Sequence, residues 1–214
     1  MIKSALVTLV MCLLISCEIS ENAQNGDLLM QDSMALHNAL MQVNDIRLIN
    51  NNKNKNLVEI IEAALRLVSD ETDIVTESNI FGIYKPFYPK ANKWIRYTFY
   101  NENIHTTIFT KTNSKKIEDI YISDNIEQFE SIKLQSDLNN LNIEYLHYHS
   151  KPSDTNTSLY DTDFTYKSED HKNVNITFST INLTQNEIET YNELKSLPKS
   201  IISIRVYSTQ KDTN

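Results

Sequence analysis

Residues 94–111 read WIRYTFYNENIHTTIFTK. Two runs rich in aromatic and β-branched residues, Trp94 to Tyr100 and Ile104 to Thr110, flank the turn-forming Asn101-Glu102-Asn103, so the stretch reads as two neighbouring strands. The same character extends to both sides. Ile80 to Tyr84 and Ile117 to Ser123 are further strand candidates, with turn formers at Asn113-Ser114. Lys85-Pro86-Phe87-Tyr88-Pro89 reads as a loop, because proline cannot donate to a ladder.

The pattern changes on either side of these strands. Leu29 to Ile49 has irregular helical spacing, and "LVEIIEAALRLV" at Leu57 to Val68 is a stronger helix with Leu57, Ile60, Ile61, Ala64, Leu65 and Val68 on one face. Between them the Asn-Lys tract of residues 50–56 reads as the loop of a helical hairpin. Downstream, Asn125 to Leu141 returns to helical spacing. Ile143 to His149, Phe164 to Lys167 and Val174 to Leu183 then read as strands. Thr184-Gln185-Asn186-Glu187 has the form of a capping box and opens a helix over Thr184 to Leu197, ended by Pro198. Ile201 to Tyr207 gives a closing strand. The expected fold is α+β: an N-terminal helical hairpin followed by a largely antiparallel sheet with two further helices. The two series of strands followed by a helix have the outline of a degenerate repeat, without matching residues to establish one.

Composition narrows the chemistry. The chain has 214 residues, 40% hydrophobic and 22% charged, enough to bury a core without the signature of disorder. With glycine only at Gly26 and Gly82, phosphate-cradling loops and nucleophile elbows, which need several glycines, are excluded. The net charge of −8 and the scattered basic residues argue against nucleic acid as a partner.

At the N-terminus, Met1-Ile2-Lys3 is a short positive region and Ala5 through Ile15 an apolar run too short to span a bilayer, which takes about 20 residues. Ordinary signal-peptidase cleavage wants small residues at −1 and −3. A cut after Ser16 would place Leu14 at −3, and a cut after Ala23 would place Glu21 there. Leu14-Ile15-Ser16-Cys17 instead resembles the lipobox of bacterial lipoproteins, with an aliphatic residue three before the cysteine and a small residue directly before it. Ile15, where a small residue is more usual, departs from that pattern. The resemblance covers the leader and Cys17 only. It implies that the Cys17 thiol receives diacylglycerol, that the chain is cut before Cys17, and that the new amino group is acylated. Several acyl chains on one residue make a lasting anchor without a polybasic helper. Cys12 would leave with the leader, so the mature chain would keep no free thiol, excluding disulfides, cysteine nucleophiles and cysteine-ligated zinc. The expected organisation is residues 1–16 as signal peptide, 17–28 as lipidated tether and 29–210 as one α+β domain. In the enterobacterial members of the lipoprotein class, Asp after the cysteine favours the inner membrane and other residues the outer, so the resemblance implies, with Glu18 there, the outer membrane facing the periplasm in a Gram-negative host.

Few residues suggest chemistry. His147-Tyr148-His149 would place two imidazoles on one strand face with Tyr145 beside them, a pair that zinc or copper could use if further ligands joined it; His105 and His171 have no telling spacing. Glu118-Asp119, Asp161/Asp163 and Glu169-Asp170 read as solvated faces. Trp94, Tyr97, Phe99 and Tyr100, near Phe87 and Tyr88, suit either an antiparallel core or recognition of protein or carbohydrate. No catalytic, cofactor or metal site is therefore assigned, and the one assigned site is lipid attachment at Cys17. The expected function is a membrane-anchored envelope lipoprotein that binds a protein partner without catalysis, as an envelope accessory factor or a toxin-neutralising immunity protein. The alternatives are an envelope hydrolase using dispersed carboxylates or histidines, and a lipoprotein that binds a small ligand or metal.

Overall fold

The strands at residues 94–111 form the expected hairpin and belong to a larger sheet. The computed structural model describes residues 34–44, 56–85, 94–101, 103–111, 116–124, 140–198 and 201–210. Eight strands make one sheet: β1 (Ile83–Lys85), β2 (Trp94–Asn101), β3 (Ile104–Lys111), β4 (Ile117–Asp124), β5 (Ile143–Pro152), β6 (Tyr160–Ser168), β7 (Val174–Leu183) and β8 (Ile201–Ser208). Their order is β1-β2-β3-β4-β8-β7-β6-β5, and every pairing is antiparallel. Two four-stranded meanders thus meet where β4 pairs with β8. The chain is mixed α+β, as its patterning implies.

Alternation along the strands sorts the side chains into two faces. On one, Tyr97, Ile108, Ile120, Val206, Ile176, Tyr166 and Tyr145 form a continuous cross-strand row from β2 to β5. A second row runs Tyr84, Phe99, Thr106, Ile122, Ile204, Phe178, Phe164, Tyr148. Both rows are buried, apart from half-buried Tyr145 and Tyr148 at the β5 end. Each large apolar side chain fully removed from water contributes about 1.5–3 kcal/mol, so these rows are the main source of stability. Thr106 is the exception among them: its hydroxyl is fully buried without a hydrogen-bond partner.

The chain divides into two compact units, residues 1–39 and 40–214. Residues 34–44, labelled α1, are helical, with 34–39 in the first unit and 40–44 in the second. The loop expected at residues 50–55 lies outside the described residues, as do the leader, Cys17, the tether and most of the helix expected over Asn125 to Leu141. In the second unit α2 (Leu57–Val68) is the expected helix, started by a capping box between Asn56 and Glu59. Its apolar residues lie against β4 and β8. A helix not anticipated from the sequence, α3 (Ile74–Phe81), follows at once. Asp73 caps it by accepting from the backbone N–H groups of Thr76 (3.0 Å) and Val75 (2.9 Å), and the bonds from Thr76, its N–H and then its hydroxyl, are the main cause that holds the Asp73 carboxyl below its usual range. The strand expected over Ile80 to Tyr84 is thereby corrected: Ile80 and Phe81 complete α3, and β1 starts at Ile83. Gly82 makes the change of direction at φ +113°, and a Cβ there would meet the carbonyl oxygen of Tyr100.

α4 (Gln185–Leu194) begins at the expected capping box, with Glu187 N–H donating to Thr184 and Thr184 N–H donating to Glu187. It ends earlier than expected. Lys195 adopts a left-handed conformation at φ 51°, so the stop precedes Pro198. Tyr191 meets Phe164 edge-on, and the Tyr145 and Tyr166 hydroxyls donate to Asn192 and to the Ser196 carbonyl. Phe81 of α3 likewise packs on Phe99. α2, α3 and α4 therefore share the buried face of the sheet, and none of the three lies on the other.

Candidate binding face

The face opposite α2, α3 and α4 carries three cross-strand rows. The first runs Ile83, Tyr100, His105, Ser123, Ser203, Ser179, Asp163, His149, from one edge of the sheet to the other. The second is Lys85, Thr98, Thr107, Tyr121, Arg205, Thr177, Thr165, His147, and the third is Arg96, Phe109, Asp119, Tyr207, Asn175, Lys167, Glu144. Apart from Thr165 and Thr177, which hydrogen-bond each other at 3.0 Å, these side chains are exposed or half-buried.

Its centre is built on the β4–β8 seam. The Arg205 guanidinium lies over the rings of Tyr121 and Tyr207, at 5.2 and 4.8 Å from their centroids. Asp119 accepts from Arg205 Nε at 2.9 Å and from Nη2 at 2.6 Å, which fixes the guanidinium in this position and raises its pKa. Burial, and then the Asp119 charge, push the Tyr121 phenol up. Phe109 meets the Tyr121 ring edge-on at 5.6 Å. Toward β1, Tyr100 is edge-on to His105, and the Lys85 ammonium sits 4.2 Å from the Tyr100 centroid. One half of the face is therefore aromatic and cationic, while the β5–β7 half offers hydroxyls, an amide, carboxylates and imidazoles.

The sequence singled out Trp94, Tyr97, Phe99 and Tyr100 together, and alternation separates them. Tyr97 and Phe99 fill the core, whereas Tyr100 stands on the open face. The side chain of Trp94, with Phe87 and Tyr88, lies outside the described residues. His147 and His149 do share the open face, both exposed. Tyr145 does not accompany them. A β-bulge between Tyr145 and His147 inserts Leu146 as an extra residue and switches the parity, which turns Tyr145 to the core side opposite Tyr166. Arg205, Tyr207 and Tyr121 were not picked out in advance, although large aromatic and charged residues at the solvent parity between Ile120 and Ile122 and between Ile204 and Val206 were a readable signal.

The carboxylate pairs disperse. Asp119 serves Arg205; Asp161 and Asp163 flank Thr162 on β6; Glu169 and Asp170 lie in the β6–β7 turn and accept from Lys167 and Asn142. Among the described residues no three His, Cys, Asp or Glu side chains come together as a metal site.

One further polar cluster borders a cavity of about 150 Å³ lined by Glu62, Arg66, Asn142, Ser168, Asp170 and His171, among others. His171 Nδ1 lies 2.9 Å from Glu71 Oε1 and 3.4 Å from Ser69 Oγ. The hydrogen bond to His171 keeps the Glu71 carboxyl below its usual range. A serine triad needs the nucleophile on one ring nitrogen and the orienting carboxylate on the other. Here both use Nδ1, and the Ser69 hydroxyl also donates to the Arg66 carbonyl at the end of α2. The cluster fastens the β6–β7 turn to α2 without activating Ser69.

No protein-family model matches the chain, and no curated protein shows significant similarity to it. Among solved structures, a cysteine-rich secretory protein from Staphylococcus aureus is similar over 64% of this chain, at 16% identity and a TM-score of 0.32. The match spans 42% of that protein's length, and a likeness this remote does not bear on function. Among the described residues no helix is long and apolar enough to cross a membrane.

Proposed function

We propose that the chain is a lipoprotein of the bacterial envelope, anchored through Cys17, that holds a folded protein partner on the open face of its sheet and performs no catalysis. The carrying observation is the Tyr121–Arg205–Tyr207 stack with Asp119, Phe109 and Tyr100 around it on the face opposite α2, α3 and α4. Tyrosine and arginine are the residues that dominate binding energy at protein interfaces. Size agrees with this reading. Strands about 4.8 Å apart and rows about 7 Å apart give a face of roughly 600–700 Å², close to the ~800 Å² per partner of a standard interface. A sugar platform fits less well, because Arg205 and the edge of Phe109 occupy ring surfaces that stacked sugars would need.

Among the described residues, much of the acidity lies elsewhere. Glu59, Glu62, Glu71, Asp73, Glu187, Glu189 and Glu193 stand on or beside the helices, so capture of a basic partner by charge, as an immunity protein would do it, would use the helical side. Retention of an envelope protein by the full chain in detergent separates the two surfaces. Loss of the partner in Tyr121→Ala and Arg205→Glu, with retention in Glu189→Lys/Glu193→Lys, supports the sheet face; the reverse pattern refutes it. The anchor has its own test: Cys17→Ser should leave unprocessed, unacylated chain in the membrane fraction, and normal acylation of that variant would end the lipoprotein reading.

A further inference from the structure

The two edges of the sheet are finished differently. β1 is three residues long, and the side-chain amide of Asn44 closes it by donating to the Tyr84 carbonyl at 2.7 Å and accepting from the Tyr84 N–H at 2.9 Å. β5 is ten residues long and, among the described residues, pairs only with β6. Beyond the Leu146 bulge it runs regularly from His147 to Pro152 opposite β6. His147 and His149 stand there on the open face with exposed side chains, and among the described residues neither imidazole has a hydrogen-bond partner.

We propose that a zinc ion joins two copies of this chain edge to edge through β5, held by His147 and His149 of each. Two imidazoles on one strand are half of a tetrahedral zinc site, which needs four nitrogen, sulfur or oxygen ligands, and the described residues of one chain supply no third. A second copy supplies both missing ligands. When β5 pairs antiparallel with its own copy about a two-fold axis at Tyr148, His147 falls opposite His149 of the second copy, and the reverse. Cross-strand neighbours have Cβ atoms about 4.5–5.5 Å apart, and alternate residues on one strand about 7 Å apart. Four imidazoles on such a rectangle can converge on one ion with Zn–N bonds of about 2.0–2.1 Å.

Neighbouring groups suit this role. On β6, Thr165 stands opposite His147 and Asp163 opposite His149, so hydroxyl and carboxylate acceptors are the cross-strand neighbours of both imidazoles. The pairing should depend on the metal. Leu146 in the bulge, Lys151 and Pro152 confine it to a few residues, the usual protection of a strand edge. Two chains of net charge −8 also repel each other. This inference does not rest on the docking role of the sheet face.

Analytical ultracentrifugation of the full chain in detergent, titrated with zinc alone at pH 7.5, tests it. The expected result is a monomer in EDTA and a dimer with one zinc per two chains when zinc is added. His147→Ala and His149→Ala should each abolish dimerisation while keeping the wild-type circular dichroism spectrum. His105→Ala and His171→Ala should dimerise normally. Zinc bound without a change in mass, a dimer that persists in EDTA, or a zinc dimer of the His147→Ala/His149→Ala double variant would each overturn the proposal.

Discussion

The two faces of the sheet are made by the same eight strands, yet residues one position apart have opposite tasks. Ile120 and Ile122 on β4, with Val206 and Ile204 opposite them on β8, are wholly buried, while Asp119, Tyr121, Arg205 and Tyr207 on the same strands build the polar, aromatic centre of the other side. Stability and the proposed recognition are thus divided by strand parity. Substitutions on the covered face should therefore change folding, and those on the open face binding.

The largest expected effect is at the covered face. Phe178→Ala removes a fully buried ring that meets Tyr166 edge-on at 5.4 Å, and should cost about 3–5 kcal/mol in urea unfolding. Gly82→Ala comes next, at about 1–3 kcal/mol from backbone strain alone, because φ +113° disfavours any side chain and the added Cβ meets the Tyr100 carbonyl. A third substitution has the opposite sign. Thr106→Val keeps the branched shape but deletes the unpartnered hydroxyl, and should stabilise the protein by about 1 kcal/mol. A loss of stability there would show that the hydroxyl has a partner in solution.

Protonation sharpens the same contrast. Burial raises the Tyr166 pKa well above its usual value of 10, so its contribution to stability is complete below about pH 10 and is lost as the pH rises toward the folded-state value. Tyr166→Phe should flatten that alkaline decline. Glu71 works in the other direction. The His171 hydrogen bond lowers its pKa, so its contribution is present above the ordinary carboxylate range and is lost as the pH falls through the folded-state value. Glu71→Gln should remove a small part of the acid sensitivity. The smallest effect on folding belongs to the open face: Tyr121→Ala, at a side chain 38% exposed, should change stability by less than about 1 kcal/mol while abolishing retention of the partner. A large loss of stability there would collapse the distinction between the faces.

Strands and their alternation were legible because aromatic and β-branched runs alternate with turn formers, as at residues 94–111. The capping boxes at Asn56 and Thr184 are similarly local, and the α4 start was read to the residue. α3 was hidden because Ile74, Val75 and Thr76 have strand character, and its cap at Asp73 carries the information instead. The position of Tyr145 was unreadable for a different reason. One inserted residue reverses the parity, and nothing in the local sequence marks Leu146 as the extra one. The pairing of β4 with β8 depends on strands far apart in the chain, so the Tyr121–Arg205–Tyr207 stack could be assembled only in three dimensions.

That seam also sets an order of events for a chain that emerges from its N-terminus. The first meander can form as soon as β4 has been made, but one side of β4 then remains without a neighbour until β8, the last strand, arrives. During that interval the backbone groups of residues 117–124 are available to any passing strand, including those of another nascent molecule. Closure also waits on a loop that spans the whole second meander, which favours slow folding. Aggregation during synthesis, rather than instability of the finished fold, is thus the hazard that this topology carries.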